Sequence, residues 1–347
     1  MTKVPSSNKT KSDANARTEK RPIDRRRDSG GSMQVGLPEE GNIVEIYKFG
    51  DDRMLMIKER ATYEIRMADM IDPDRTNDKI PNIQQRVLSV GSTSPLLQKI
   101  LLSSALLFDE TYLRDLDCGQ LKQHALNAVH EILSMERLLE RLASEENEQI
   151  RQLEDAKLTN GFIVPNLEDA GLNVKNFLQK SDHFTKELFR ITRIFEKGFE
   201  NPDNLLRRAK RDNPINEEYV KFLESAIPYI RFIREARNSV EHPNPPHKQV
   251  IVDNFTLDAS GKIAVPAIEI RHPKFPEPKT RLLIFLDATI QSLASLYQSW
   301  IAHMCARKVS LSGFDASVMR IPKEARRHEH VAYKYSVFLN GSWQPIG

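Results

Sequence analysis

Cysteine is scarce in this chain: Cys118 and Cys305 are the only two among 347 residues. Both lie in or beside helical patterns. That argues for buried thiols rather than a disulfide framework, and it suits a reducing compartment. A cytoplasmic location is the expectation. A secretory signal is missing, because the first residues are polar and carry no apolar core. The most apolar helical stretch, about 280–307, is interrupted by Gln291, Ser295, Gln298 and His303, so it reads as a core helix and not as a membrane span. P-loop, G-x-G-x-x-G and G-x-S-x-G patterns are lacking as well. Nucleotide-cofactor and serine-hydrolase chemistry therefore have no foothold, and no cofactor is expected. His242, His247 and His272 fall in proline-rich loops without Cys or carboxylates at ligand spacing, so no metal site is expected either.

What is present fits a soluble globular protein. Hydrophobic residues make up 39% and charged residues 29%, and the length allows a sizeable core in one large or two small domains. Residues 1–40 hold nine Lys/Arg against six Asp/Glu, which accounts for the whole formal net charge of +3. Attraction for nucleic acid must then come from local patches or from this tail.

The pattern along the chain predicts four regions. Residues 1–40 are polar, with a basic cluster from Lys20 to Arg27, and are expected to be a disordered basic tail. Residues 42–118 form a small N-terminal region. Ile43–Tyr47 and Met54–Ile57 flank a Gly50-Asp51-Asp52 turn, Tyr63, Ile65 and Met67 suggest a third strand, and short helices are predicted at about 81–90 and 94–109.

Residues 119–307 read as a helical array. Its long helices are predicted at about 120–157, from after Ser181 to Phe199, from Pro214 to His242, and at 280–307, with a short basic helix at 203–211. Pro228 should kink the third long helix. Near 250–265 a β-hairpin is inserted, around Asp258-Ala259-Ser260-Gly261. Residues 308–347 form a C-terminal extension with a hairpin turning at Asn340-Gly341. The fold class is α+β, mainly α.

The third long helix closes on Arg237-Asn238-Ser239-Val240-Glu241-His242. Metal-free RNA cleavage needs a base for the 2′-hydroxyl and a cation for the phosphoryl oxygens. An imidazole near neutrality can be the base, and a guanidinium fork can hold two phosphate oxygens. Asn238 lies one turn before His242, so it can orient the ring or bond to the phosphate. Arg237 and His242 are about 140° apart on a regular helix, so they converge only if the helix end unwinds or a second subunit supplies one group. A purely structural alternative is a capped helix end, in which Arg237 pairs with Glu241 and His242 complements the helix dipole.

The string Arg237-Asn238-x-x-x-His242, late in a bundle helix, resembles the R-x4-6-H signature of HEPN domains. The resemblance spans roughly 119–307. It implies a HEPN-like helical bundle, here with appended β-hairpins. It also implies a metal-independent endoribonuclease, dimeric, with two motifs meeting in a composite site. Such proteins recur in toxin–antitoxin, antiphage-defence and RNA-processing systems, so RNA, a second copy of the chain and an antitoxin or other protein are the implied partners. His242 would be the base, Arg237 the phosphate stabiliser and Asn238 the orienter. Other members are non-catalytic RNA- or protein-binding modules, and that alternative stays open. Arg231 and Arg234 on the motif helix, with Arg207, Arg208 and Arg211 just before it, are the candidate RNA-binding residues. Arg190, Arg193 and Lys197 add a stripe on the preceding helix.

Overall fold

In the computed structural model, which describes residues 20–29, 33–49, 53–154, 160–198, 201–212 and 217–346, part of the expected tail is folded. Pro22–Asp28 is a helix, α1. Pro at its first turn, Asp24 near its start and three arginines in its last turn suit the helix dipole. Its charges are matched by the acidic stretch 69–78. Arg27 meets Asp69 at 2.9 Å, Arg26 meets Asp78 at 2.9 Å, and Arg75 reaches back to Asp28 at 2.8 Å. The basic cluster is therefore engaged inside the chain; residues 1–19 lie outside the described part.

Alternating apolar residues after Asn42 form an antiparallel sheet in the order β1 (Ile43–Phe49), β2 (Arg53–Lys58), β3 (Thr62–Arg66), β4 (Ile83–Leu88). Leu55 and Ile57 point into the main core, while Tyr63 and Ile65 pack with Val35 in a second, smaller cluster. A short helix, α2 (Ala68–Ile71), follows β3. The helix predicted at 81–90 is instead strand β4. It completes the open edge of β3, and the Gln84 side chain ties it to residues 34–36 by accepting from Gly36 N at 2.8 Å and donating to Gln34 O at 3.1 Å. A backbone edge that needs partners outweighs a weak helical pattern.

The predicted helix at 94–109 is present as α3 (Pro95–Leu97), a π-helical turn Gln98–Leu102, and α4 (Ser103–Leu107). Ser94 caps it by accepting from Leu97 N at 3.3 Å. Leu96, Leu97, Ile100, Leu101 and Leu107 are all buried.

The long helices are α5 (Cys118–Glu154), α6 (Ala170–Phe195), the short basic α7 (Pro202–Asp212), α8 (Glu217–Glu241) and α9 (Leu282–Ala306). Helix α6 starts at Ala170, well before the predicted Ser181, because buried Val174, Phe177 and Leu178 extend its apolar stripe. Helix α8 runs on across Pro228. Helices α5, α6, α8 and α9 share one core. Within it the Trp300 indole donates to Thr192 at 2.8 Å, and Tyr297 meets Ser104 at 2.7 Å, so α9 is hydrogen-bonded to both α6 and α4. Cys118 and Cys305 are both buried free thiols. Among the described residues, no helix is long and apolar enough to cross a membrane.

The inserted β-segment pairs differently from the prediction. β5 (Gln249–Asp253) pairs not with the 263–265 stretch but with β8 (Ala267–Arg271), which in turn pairs with β9 (Glu277–Arg281). The predicted turn joins only the two-residue strands β6 (Thr256–Leu257) and β7 (Ile263–Ala264). The choice follows burial: Ile268 and Ile270 of β8 are buried in the main core and lie opposite Val252 and Val250. The C-terminal sheet joins β10 (Ala316–Arg320), β11 (Tyr333–Leu339) and β12 (Ser342–Pro345). Asn340 and Gly341 both take positive φ, 51° and 81°, as a primed hairpin turn requires. Tyr335 anchors that sheet by donating to Leu107 O at 2.6 Å. The whole is α+β, mainly helical, with small antiparallel sheets.

Candidate functional site

Helix α8 stays regular through the motif. Its last residue is Glu241, and the His242 N–H still donates to Asn238 O at 2.9 Å. The unwound end offered by Pro243 is not adopted, so Arg237 and His242 keep their separate helical faces. Arg237 and Asn238 line a cavity of about 620 Å³ between α6, the start of α7 and α8. His242 is exposed and takes no part in that lining.

The cavity is strongly cationic. Lys186, Arg190 and Arg193 come from α6, and Arg231, Arg234 and Arg237 from α8, against the carboxylates Asp182 and Asp203. Spacings of three and four residues on two facing helices bring these side chains into one wall. Both carboxylates are matched: Lys186 meets Asp182 at 2.7 Å, and Arg231 pairs with Asp203. Arg190 pairs with Glu187 from the same helix. Phe189 and Ile230 supply the apolar part of the wall.

Of the predicted residues, Arg231, Arg234, Arg237 and Asn238 thus meet, with Arg190 and Arg193 joining them. Arg207, Arg208 and Arg211 do not. They line a separate cavity of about 580 Å³ with Gly198 and Asn204. Arg208 is held there by donating to Lys197 O at 2.8 Å, and Arg207 by donating to Asn204.

Nor does Arg237 close on Glu241. Its Nη1 donates to Asn238 Oδ1 at 3.1 Å. Glu241 accepts from Gln179 and meets Lys175 at 3.7 Å. The Gln179 hydrogen bond and the charges of Lys175, Arg237 and His242 hold its carboxyl below the usual glutamate range.

Glu235 is a site residue that the motif did not reveal. It accepts from Asn238 Nδ2 at 3.4 Å and from Lys248 Nζ at 3.2 Å, and His272 Nε2 lies 3.4 Å away. Burial pushes this carboxyl up, but Lys248, His272 and Asn238 outweigh it and leave it below the usual range. His272 Nδ1 accepts from the backbone N–H of Lys274 at 3.2 Å and of Phe275 at 3.1 Å. That leaves Nε2 as the ring nitrogen facing Glu235. A polar chain runs from Lys248 and His272 through Glu235 and Asn238 to Arg237. The i, i+3 spacing of Glu235 and Asn238 was a usable signal; Lys248 and His272 arrive from distant sequence and had none. Among the described residues no group of three His, Cys, Asp or Glu is placed to hold a metal ion.

Comparison with protein-family models, curated proteins and solved structures finds no match to this chain.

Proposed function

We propose that the chain is a HEPN-like, metal-independent endoribonuclease that works as a homodimer. The observation that carries the reading is the cavity itself: Arg237 and Asn238 of the motif share it with five further cations. A protein with a formal net charge of only +3 concentrates positive charge there, as a phosphodiester substrate demands. In this reading the helices α5, α6, α8 and α9 are the family's bundle.

The chemistry uses groups the chain owns. A His242 imidazole accepts the proton of a ribose 2′-hydroxyl. The freed O2′ attacks the adjacent phosphorus, Arg237 stabilises the added negative charge, and the bond to the 5′-oxygen breaks as that oxygen takes a proton from water and the imidazolium returns its own to solvent. The products are a 2′,3′-cyclic phosphate and a 5′-hydroxyl. Because His242 stands outside the cavity of its own chain, the His242 that acts there belongs to a second copy.

A second reading is favoured by that same exclusion of His242. A cavity with the phosphate-binding arginine and no base is suited to hold RNA without cutting it. Incubating structured and unstructured RNAs with the protein in EDTA separates the two. The nuclease reading expects cyclic-phosphate ends that His242→Ala abolishes. Tight RNA binding with intact RNA would leave the binding module, and full activity in both Arg237→Ala and His242→Ala would remove the motif from any role.

A further inference from the structure

A second cavity, of about 640 Å³, is lined by Asp203, Arg231, Arg234, Glu235 and the loop residues 272–275 between β8 and β9. It shares Asp203, Arg231 and Arg234 with the motif cavity, so the two are adjoining lobes of one groove. Arg231 and Arg234, one turn apart on α8, border both. The carboxylates of the second lobe are already matched, Asp203 by Arg231 and Glu235 by Lys248. Arg234 and Lys274 are exposed, and neither forms an ion pair with a described residue.

Each lobe also carries one half-buried aromatic ring, Phe189 in the first and Phe275 in the second. Phe275 lies against the His272 ring with centroids 5.6 Å apart, and its backbone N–H is fixed on His272 Nδ1. The ring is therefore held in place before any ligand arrives. Cations flanked by one aromatic ring per lobe match a strand of alternating phosphates and unstacked bases. An acidic peptide would use the cations but not the two separated rings.

We infer that the 272–275 lobe is a second nucleotide subsite for unpaired RNA. Arg234 holds the phosphate between the two lobes beside the Arg231–Asp203 pair, Lys274 takes the next phosphate, and Phe275 stacks on the base. This rests on the RNA reading above, and it assigns a role to the inserted β-segment, which the motif does not include.

The test is binding of a fluorescent, unstructured oligoribonucleotide to the full chain in EDTA, in a His242→Ala background, by anisotropy over a range of salt. Phe275→Ala should weaken binding about five- to a hundredfold, and Phe275→Tyr should restore it. Lys274→Ala should flatten the logarithmic salt dependence by about 0.7. Lys323→Ala, far from the groove in sequence and exposed, should match the parent. If Phe275→Ala melts early, Lys274→Ala at an exposed position and Phe275→Tyr still decide the matter. Parent-like RNA binding by both Lys274→Ala and Phe275→Ala overturns the subsite and leaves the RNA reading standing. No RNA binding by the parent overturns both. Tighter binding of polyglutamate than of RNA, lost in the same variants, overturns the subsite in favour of an acidic peptide.

Discussion

Arg237 donates through Nη1 to the side-chain oxygen of Asn238 at 3.1 Å, and that contact fixes the guanidinium at the edge of the cationic cavity. Asn238 is itself oriented, since its amide nitrogen faces Glu235 at 3.4 Å. The motif arginine is thus aimed by its sequence neighbour, which is in turn aimed by a carboxylate one turn earlier.

Arg237→Ala should lower RNA cleavage by about a hundred- to a thousandfold, the usual loss when one oxyanion donor is removed. Arg237→Lys should recover little of it, because an ammonium keeps the charge and loses the planar fork. Asn238→Ala should cost less, since it disturbs the aim of Arg237 without removing it. Initial rates in EDTA check this ordering. A rate for Arg237→Lys equal to that of the unaltered chain would show that only charge matters. Thermal unfolding should hardly move in any of the three, as both side chains are partly exposed and outside the core.

The separation of Arg237 from His242 makes a sharper prediction. If one chain supplies the arginine and the other the histidine, inactive Arg237→Ala and His242→Ala chains should rescue each other when mixed. A mixed dimer has one site with both defects and one with neither. Equal mixing after random exchange therefore restores about a quarter of the starting rate. A site built within one chain gives no rescue at any ratio. Cleavage per chain should also rise with protein concentration until the dimer is saturated.

How far the sequence disclosed this arrangement depends on where each residue's partners lie. The apolar stripes of α5, α8 and α9 were legible because a helix presents its core face at fixed local spacing. Arg231, Arg234, Arg237 and Asn238 line one cavity for the same reason, being on one helix. Arg207, Arg208 and Arg211 are close to them in sequence, yet they line another cavity. Strand pairing is the least legible feature of the sequence. Local spacing predicts a helix where β4 stands and a hairpin partner that β5 does not use, because a strand's neighbour is chosen by distant edges and by burial of Ile268 and Ile270. Glu235 acquires its importance from Lys248 and His272, which no spacing on α8 announces.

The docking of α1 should be sensitive to acid. The Arg21 guanidinium beside Asp24 holds that carboxyl at about 2. Lys20 and Arg75 hold Asp28 below its usual range, and the backbone N–H groups of Thr76 and Asn77 do the same for Asp72. Carboxyls whose folded values are depressed stabilise the docked state fully above their unfolded value, near pH 4, and lose that contribution as pH falls towards 2. Amide protection factors over residues 24–28 should therefore drop between about pH 4 and pH 2.5, before those of α6. Concentrated salt at neutral pH should lower them only in part, because Lys20–Asp28 and Arg26–Asp78 are exposed whereas the side chains of Arg27 and Asp72 are largely buried. Protection that survives both treatments would mean that α1 is held by something other than these charges.

Glu146 of α5 and Arg281, the residue before α9, form an ion pair at the junction of the two helices. The Glu146 side chain is 0% exposed and Arg281 is 40% exposed, and the guanidinium binds the carboxylate through Nε at 3.1 Å and through Nη2. The other carboxylate oxygen, Oε2, is buried without a hydrogen bond. The pair is therefore asymmetric. Arg281→Ala strands a buried charge and should cost about 3–5 kcal/mol, whereas the paired replacement Glu146→Leu with Arg281→Leu removes the charge altogether and should be close to neutral. Glu146→Gln keeps an acceptor for Arg281 and should fall between them, at about 1–2 kcal/mol. Urea unfolding of the four chains gives the order directly. If Arg281→Ala proves as mild as Glu146→Gln, the carboxylate finds water on losing its partner, and the junction of α5 with α9 is looser than this packing implies.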